Sequence, residues 1–98
     1  MKILAIEKET LEINWSAENE ILINEAYRVY QLFQEGILRE IFFNENENAV
    51  IILECSTKDE AATILSSLPL VQAGMIRFDL MELHPYTGFS RIILNAEI

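Results

Sequence analysis

The sequence has few of the residues that hold metal ions, nucleotide phosphates or disulfide bonds. Its 98 residues include one cysteine, one histidine and three glycines. The single cysteine, Cys55, allows no disulfide within the chain, and with one histidine the sequence lacks a zinc cluster of the usual spacing. The glycines, at positions 36, 74 and 88, form neither a phosphate-binding loop nor a dinucleotide-binding fingerprint. We therefore expect a protein that works without a metal or another cofactor.

Basic residues are also scarce. Seven Lys and Arg stand against sixteen Asp and Glu, so the formal net charge is −9. Because nucleic acids and anionic membranes attract concentrated positive charge, the sequence predicts neither as a partner. No apolar run reaches the roughly 18 residues that a membrane span needs, and no signal-peptide pattern follows Met1. We expect a cytoplasmic protein.

The sequence does contain the apolar residues that one compact core needs. Hydrophobic residues make up 51% of the chain and charged residues 23%, which is typical of a globular domain and not of a disordered chain. A chain of this length has room for one domain. We predict a single domain over residues 1–98, with a core over 1–85 and a C-terminal tail over 86–98 that adds a strand or contacts a partner subunit.

Hydrophobic periodicity divides the core into six elements. Helical spacing predicts a long first helix that begins at Ser16 and ends at Gly36, and a capping-box pattern after Cys55 predicts a second helix that Pro69 ends. On the first helix, the predicted core-facing residues are Leu22, Ala26, Val29 and Phe33. Strand-like segments cover residues 1–8, 37–43, 49–55 and 75–83. The order is β-α-β-β-α-β.

This order has one common compact solution, the ferredoxin-like α+β sandwich. Its four-stranded antiparallel sheet carries both helices on one face, with the first and third strands in the middle. The other face of the sheet then has apolar side chains without a cover. We expect a second subunit to cover them, so that two sheets pack face to face as a dimeric α+β barrel in at least a homodimer.

The last strand supplies the first group of candidate site residues. Its apolar side chains are predicted to face the helices, which leaves Arg77 and Asp79 on the opposite face. There the two charges either form an ion pair at the edge strand or meet a polar ligand. His84 lies at the end of the strand before a proline, where it acts either as an acid or base at a pocket or as a simple cap before the tail.

The first helix and the second strand supply the other candidates. Glu25 lies beside the predicted core face, where burial would raise its pKa for proton transfer; the alternative is an ion pair with Arg28, three residues on. Arg39 and Glu40 point to opposite faces of the strand, so only one of them enters the barrel. An arginine there suits the carboxylate of an anionic ligand, and a solvated edge charge is the alternative.

Three segments carry a resemblance to a known family: QEGILREIFF, SSLPLVQAGMIRFDL and ELHPYTGFS. Through them the chain, from about Glu25 to Ile92, resembles the muconolactone isomerase-like family of dimeric α+β barrels. The resemblance implies a cofactor-free isomerase that assembles as a dimer or a larger ring. It also implies roles for Glu25 as a helix carboxylate, Arg39 as the group that holds a substrate carboxylate, and His84 as the histidine of a His-Pro pair.

One position departs from the pattern of that family. Where the resemblance leads us to expect a histidine after the strand arginine, this chain has Glu40, and the flanking tryptophans are replaced by Leu38 and Phe42. The pocket chemistry is therefore altered.

The sequence is compatible with two main functions and supports a third less strongly. One is a cofactor-independent isomerase or proton-transfer enzyme that acts on a small unsaturated anion, using Glu25 or His84 for the proton and Arg39 or Arg77 for the charge. The second is a non-catalytic dimeric protein of the same fold that binds a small molecule or has a structural role, which the replacement by Glu40 favours. The third is a barrel monooxygenase, with His84 as a haem ligand or without a cofactor.

Overall fold

The computed structural model describes residues 1–93 of the chain. Nine elements follow in order, counting two 3₁₀ turns. The strands are β1 (Lys2–Glu9), β2 (Leu38–Phe43), β3 (Ala49–Glu54) and β4 (Ile76–Leu83). The helices are α1 (Asn19–Gln34), α2 (Lys58–Leu65) and α3 (Pro69–Gln72), and the 3₁₀ turns cover Trp15–Ala17 and Gly88–Arg91.

The four strands form one antiparallel sheet in the order β2-β3-β1-β4. The predicted ferredoxin-like α+β fold is thereby confirmed, with the first and third strands in the middle and the second and fourth at the edges. The register of β2 against β3 shifts between Leu38 and Glu40, so Arg39 lies at a β-bulge. Bulges are common at sheet edges, where they bend the strand and re-aim its side chains.

The hydrophobic core lies between the sheet and the helices. Alternate residues of the two central strands point into it, because successive side chains of a strand face opposite sides of the sheet. Those of β1 are Ile3, Ala5 and Glu7, and those of β3 are Ala49, Ile51 and Leu53, all of them buried. On β4 the half-buried Phe78 and Leu80 pack against the same core, as predicted.

The other face of the sheet carries apolar side chains that none of the helices in residues 1–93 covers; we call it the open face. In the middle it presents the half-buried Leu4 and Ile6 of β1, paired in register with Ile52 and Val50 of β3. Met81, paired with Leu4, is 60% exposed on the same face. The structure therefore reproduces the uncovered apolar surface on which the expectation of a second subunit rests.

The buried face of α1 differs from the predicted one. Of the predicted core-facing residues, Leu22 and Val29 are half-buried, and Val29 packs against the core, as predicted. Ala26 and Phe33 are exposed, whereas Leu32 is buried and Glu25 and Arg28 are half-buried. Counted at 100° per residue, the buried side chains are centred on Glu25, about 70° around the helix from the predicted centre. The prediction was wrong for Ala26 and Phe33 because α1 packs against both β2 and α3, and the α3 side accepts polar residues that an apolar pattern does not reveal.

The ends of the helices also correct parts of the prediction. Ser16 lies in a 3₁₀ turn and not at the start of α1, which begins after Glu18 without a side-chain cap. Thr57 does cap α2, because its side chain accepts a hydrogen bond from the Glu60 amide. Pro69 begins the separate short helix α3 at a position that suits proline, and so does not simply end a helix.

The described part of the C-terminal tail, residues 86–93, is largely exposed. Tyr86 and Phe89 are 75% and 63% exposed and stack edge to face on each other. Among the described residues, the hydrogen bonds of 85–93 stay within that segment. The predicted tail over 86–98 lies partly outside the described residues, and its extra strand or partner contact stays a prediction.

Candidate functional site

Glu25 lies at the middle of the buried face of α1 and connects this helix to α3. Its Oε1 atom accepts a hydrogen bond of 3.0 Å from the backbone N–H of Leu70, which is in the first turn of α3. Helix α3 begins at Pro69, and the side chain of the preceding residue, Leu68, does not cap it. The Glu25 carboxylate therefore accepts a hydrogen bond from a backbone N–H that has no partner within α3.

Burial raises the pKa of Glu25 above its ordinary value, because a charged carboxylate loses solvation between the two helices. The hydrogen bond from the Leu70 amide acts in the opposite direction, since it favours the charged form. Burial has the larger effect. Glu25 therefore has the raised pKa that the sequence led us to expect, but the predicted ion pair with Arg28 is not among the salt bridges of the described residues.

A second carboxyl group lies under the helices and was not among the candidates. Glu7 of β1 is only 7% exposed and is the one buried charged side chain of residues 1–93. Burial raises its pKa, an interaction with the Ala49 backbone lowers it, and the charges of Glu9 and Glu25 raise it further. Glu7 and Glu25 are thus close enough for their charges to interact.

Strand periodicity was the signal that could have found Glu7. In the segment MKILAIEK, the buried positions alternate as Ile3, Ala5 and Glu7, so a strict period of two places Glu7 in the core. Because Leu4 and Ile6 on the open face are also apolar, the segment looks like one continuous apolar run that stops before Glu7. The alternation is therefore visible only once the face of each strand is known.

Arg28 is the guanidinium nearest to Glu25 along α1, three residues further on. It is half-buried, and its Nε donates a hydrogen bond of 2.9 Å to the Ser67 hydroxyl while its Nη1 donates one of 3.2 Å to Gln31. The bond to Ser67 ties α1 to the connection between α2 and α3, and the bond to Gln31 lies within α1. From the sequence, Arg28 was considered only as an ion-pair partner for Glu25.

Three predicted site residues lie on the open face, on the other side of the sheet from Glu25. The exposed Arg77 and Asp79 form an ion pair there, which is the edge-strand alternative of the sequence analysis. Glu40 pairs in register with Ile52 and so belongs to the same face. Within one chain, the sheet separates these three side chains from the carboxyl groups of Glu25 and Glu7.

The remaining two predicted site residues, Arg39 and His84, are exposed, and each contacts a residue that is close to it in the sequence. The Nε of Arg39 donates a hydrogen bond of 2.6 Å to the carbonyl oxygen of Gly36. The Nε2 of His84 is 3.3 Å from a carboxylate oxygen of Glu82, and its side chain is 67% exposed. A single chain thus does not bring Glu25, Arg39, Arg77 and His84 to one enclosed cavity.

Glu25 does not line either of two surface depressions in residues 1–93. One, of about 350 Å³, lies at the start of α1 and is lined partly by Glu18 and Glu20, whose charges do not suit an anion. The other, of about 100 Å³, lies between α2, α3 and β4 and is mostly apolar. Within residues 1–93 no group of three or more His, Cys, Asp or Glu side chains is arranged to hold a metal ion.

None of the helices in the described part of the chain is both long and apolar enough to cross a membrane.

The sheet order and the placement of all helices on one face define the class of protein to which this chain is similar: α+β domains with the ferredoxin-like β-α-β-β-α-β topology. A comparison with solved structures identifies particular members of that class. Muconolactone isomerase aligns with 99% of this chain and 98% of its own, with a TM-score of 0.74 and 12% sequence identity.

A second solved structure is a 5-chloro-2-hydroxyhydroquinone dehydrochlorinase from Burkholderia phenoliruptrix, in complex with 2,5-dihydroxybenzoquinone. It aligns with 90% of this chain and 98% of its own, with a TM-score of 0.69 and 11% identity. No protein-family model and no curated protein matches the sequence. At such low identity these likenesses show the fold, and at that level they confirm the resemblance to muconolactone isomerase.

Proposed function

We propose that this chain is a muconolactone isomerase-like, cofactor-independent enzyme that moves a proton within a small, unsaturated, anionic molecule. The observation that carries the proposal is the position of Glu25, a half-buried carboxyl group whose pKa is raised by burial. A carboxylate with a raised pKa is a stronger base than one in water, and such groups are concentrated at functional sites. The shared fold supports the same class of activity.

The proposed reaction uses the two oxygens of Glu25 differently. Oε1 is held by the Leu70 amide, which fixes the orientation of the carboxylate. The other oxygen takes a proton from one carbon of the substrate, the electron pair of the broken C–H bond moves into the conjugated system, and the protonated Glu25 returns the proton to another carbon. The double bond has then shifted, and no cofactor is consumed.

The negative charge of the substrate needs a cation on the helix side of the sheet. Arg28 meets that requirement best, because it is on the same half-buried side of α1 as Glu25. Arg39 can hold the substrate carboxylate only if its side chain first gives up its hydrogen bond to the Gly36 carbonyl oxygen. Arg77 cannot contact the same small molecule as Glu25 within one chain, so it, Asp79 and Glu40 are assigned to a ligand on the open face.

The proposal includes a homodimer in which two open faces pack against each other as an α+β barrel. The apolar rows of β1 and β3 would then be removed from water, and the ion pair of Arg77 and Asp79 would line the space between the sheets. We also propose the cytoplasm as the location, with which the buried free thiol of Cys55 is compatible.

An ultraviolet assay on muconolactone tests the enzyme directly. We expect turnover by the unaltered protein and a loss of about 10²- to 10⁴-fold in kcat for Glu25→Gln, which is the usual contribution of a positioned acid–base group. His84→Ala is the matched comparison: a small effect assigns the proton to Glu25, and an equal loss assigns it to both residues.

Two results would count against this proposal. No turnover by the unaltered protein removes the muconolactone version. Unchanged turnover by a folded Glu25→Gln variant removes Glu25 from the chemistry.

The second candidate is a non-catalytic module that binds a small molecule or has a structural role. The observation in its favour is the hydrogen bond from the Leu70 amide to Glu25, since it gives this carboxylate a structural task. A thermal-shift screen of small unsaturated acids separates the versions, because a ligand that binds the native state raises the apparent stability. A raised melting temperature without turnover would favour a binding module, and no shift would favour a scaffold.

A further inference from the structure

Glu7 is a buried acid that the proposed reaction does not use, although it lies close to Glu25. Helix α1 packs on β2 and helix α3 packs on β4, the two edge strands, and the two helices contact each other. We call the line along which α1 and α3 meet the helix seam; the hydrogen bond from the Leu70 amide to Glu25 crosses it. Because β1 is a central strand and Glu7 faces the helices, Glu7 lies beneath this seam.

The carboxyl group of Glu7 has few partners. It takes part in no salt bridge of residues 1–93, and the backbone of Ala49 is the polar group that favours its charged form. In the same part of the chain, no side-chain oxygen is both sealed from solvent and without a hydrogen-bond partner. Since a backbone amide has a single N–H to donate, the second oxygen of Glu7 is in contact with solvent. The group can therefore exchange its proton with water and respond to pH.

Over the part of the chain that the structure describes, the helix side of β1, β3 and β4 supplies no positive charge to Glu7. Glu9, the next helix-facing residue of β1, is acidic and exposed. The cross-strand neighbour on β4 is Phe78, and the helix-facing residues of β3 are apolar. The sheet thus places apolar side chains and one like charge around the carboxyl group.

The half-buried cation above the sheet is already bonded to other groups. The charged residues of α1 are Glu20, exposed in the first turn, Glu25 and Arg28. Arg28 donates its hydrogen bonds to Ser67 and Gln31. Helix α3, with the sequence PLVQ, has no charged residue, and those of α2 lie in its exposed first turn. The charge that acts on the buried acid from the helices is that of Glu25.

The two carboxyl groups at the helix seam have different surroundings. Glu25 is half-buried and accepts the hydrogen bond of the Leu70 amide, which favours its charged form. Glu7 is only 7% exposed. Burial raises the pKa of both groups, and the charge of Glu25 raises the pKa of Glu7 further. Glu25 therefore ionises first and Glu7 retains its proton longer, as is typical of carboxyl pairs whose members take different roles.

We infer that Glu7 is a positioning residue that makes the proposed site dependent on pH: while it holds its proton the anionic substrate can approach Glu25, and once it is ionised its charge repels that substrate. This inference rests on the proposed function and adds the regulation of the same site. An anion beside two carboxylates is repelled by both, whereas Arg28 offsets only one charge. A neutral Glu7 leaves one ionised carboxylate of the two, which is the base that the reaction needs.

The first test is the dependence of kcat/KM for muconolactone on pH. We expect a fall at acidic pH, where Glu25 gains a proton, and a second fall at alkaline pH, where Glu7 loses its own. The alkaline fall should reach about tenfold for each pH unit, as for the loss of one essential proton. It should lie in KM and not in kcat, because the charge hinders binding. Circular dichroism at each pH establishes that the protein stays folded.

Variants of the acids assign the alkaline fall to its source. Glu7→Gln is expected to lose it and to keep the acidic fall, because the amide is neutral at every pH. Glu7→Asp keeps an acid and should keep the alkaline fall. Glu9→Gln should move it to lower pH, since removal of a like charge lowers the pKa of Glu7. Glu45→Gln, in the exposed turn between β2 and β3, is the control and should leave the profile unchanged.

A titration without substrate tests the order in which the two groups ionise. Carbon-13 NMR of the labelled glutamate carboxyl groups should show the Glu25 signal changing at lower pH than the Glu7 signal. Assignment follows from the signal that is missing in Glu7→Gln and in Glu25→Gln. If Glu7 ionises before Glu25, the inference is overturned.

The kinetic outcomes separate this inference from the proposed function. Turnover with the same pH profile in the unaltered protein and in Glu7→Gln overturns the role of Glu7 and leaves the proposed enzyme intact. An absence of turnover at every pH removes the proposed muconolactone reaction, and the role of Glu7 in that reaction is overturned with it. An alkaline fall in kcat alone, with KM constant, also contradicts the inference, because repulsion of the substrate acts on binding.

Discussion

At the scale of single residues, the carboxyl groups of Glu25 and Glu7 distinguish the helix-covered side of the sheet from an ordinary apolar core. An apolar core would have needed neither carboxyl group, and each one is more difficult to ionise where it lies than in water. A backbone group lowers the pKa of each carboxyl group, that of Leu70 for Glu25 and that of Ala49 for Glu7, and Glu7 also lies beside the like charges of Glu9 and Glu25. The pair therefore makes the folded state sensitive to pH.

The pKa of Glu7 gives that sensitivity a definite sign. Because the pKa is raised in the folded state from its ordinary value of 4.5, the folded protein holds the proton more tightly than the unfolded chain does. This contribution to stability is fully present below pH 4.5 and is lost as the pH rises through the raised pKa. The charges that face Glu7 are those of Glu9 on its own strand and Glu25 on α1, and both act in the same direction.

We therefore expect Glu7→Gln to stabilise the protein near pH 7, because the neutral amide has nearly the same shape without the cost of burying a charge. The difference in melting temperature between the variant and the unaltered protein should shrink as the pH falls towards 4.5. Thermal unfolding followed from pH 4.5 to 8 measures it. Glu45→Gln, in the exposed turn between β2 and β3, is the control and should show no such trend. A Glu7→Gln variant that is less stable at pH 7 would show that the carboxylate makes a favourable contact.

At the scale of secondary structure, the helices that lead into β2 and β4 end in the same way. Gly36 and Gly74 have φ angles of +76° and +72°, and the residue after each one donates a backbone hydrogen bond to a carbonyl of the last helical turn. This is the Schellman motif, in which glycine adopts the left-handed conformation without steric cost. The two glycines turn the chain from the helix layer back into the sheet.

Replacing either glycine by alanine should cost about 1 kcal/mol of folding stability, because an added Cβ makes the left-handed conformation unfavourable. Neither position has a neighbour within 4 Å of the added carbon, so the cost is conformational and not a clash. Urea denaturation of Gly36→Ala and Gly74→Ala measures it. Gly36→Asn should cost less, since asparagine tolerates this conformation better. An equal loss for both substituents would point to a different cause.

At the scale of the whole molecule, the shape favours assembly and the net charge opposes it. The radius of gyration is 16.6 Å and the extents are 60 × 27 × 19 Å, whereas a compact domain of about 100 residues has a radius near 13 Å. The described part of the tail, residues 86–93, is largely exposed and hydrogen-bonded within itself, and it accounts for part of the excess. The open face adds an apolar surface, whereas the net charge of −9 opposes contact between copies.

If the open face is a dimer interface, Ile52→Glu should dissociate the face-to-face dimer, because it places a charge in the middle of an apolar surface. Light scattering at micromolar concentration measures the change. Asn46→Glu, in the turn between β2 and β3, adds the same charge away from the sheet and should have little effect. Added salt should strengthen association of the unaltered protein, since it screens the repulsion between acidic copies. A well-folded single chain at micromolar concentration, at any salt, would contradict the dimer.

The sequence by itself determined the order of the elements and the class of fold. Three local patterns were sufficient: the alternation of apolar and polar residues in 75–83, the helical spacing of apolar residues in 16–36, and the glycines after the helices. Each depends only on residues that are neighbours in the sequence. The topology followed because few compact arrangements accommodate β-α-β-β-α-β. The sequence also placed Arg77 and Asp79 on the face opposite the helices, for the same local reason.

The tertiary structure decided which side of α1 is buried and which charges share a compartment. The direction of a helix face depends on the elements that pack against it, and α3, which supports Glu25 through the Leu70 amide, was not predicted as a helix of its own. Glu7 became a buried acid only when a layer of helices covered its side of β1. The sheet then separated Glu25 from Arg77, because contacts between distant segments are set by how the layers stack and not by spacing along the chain.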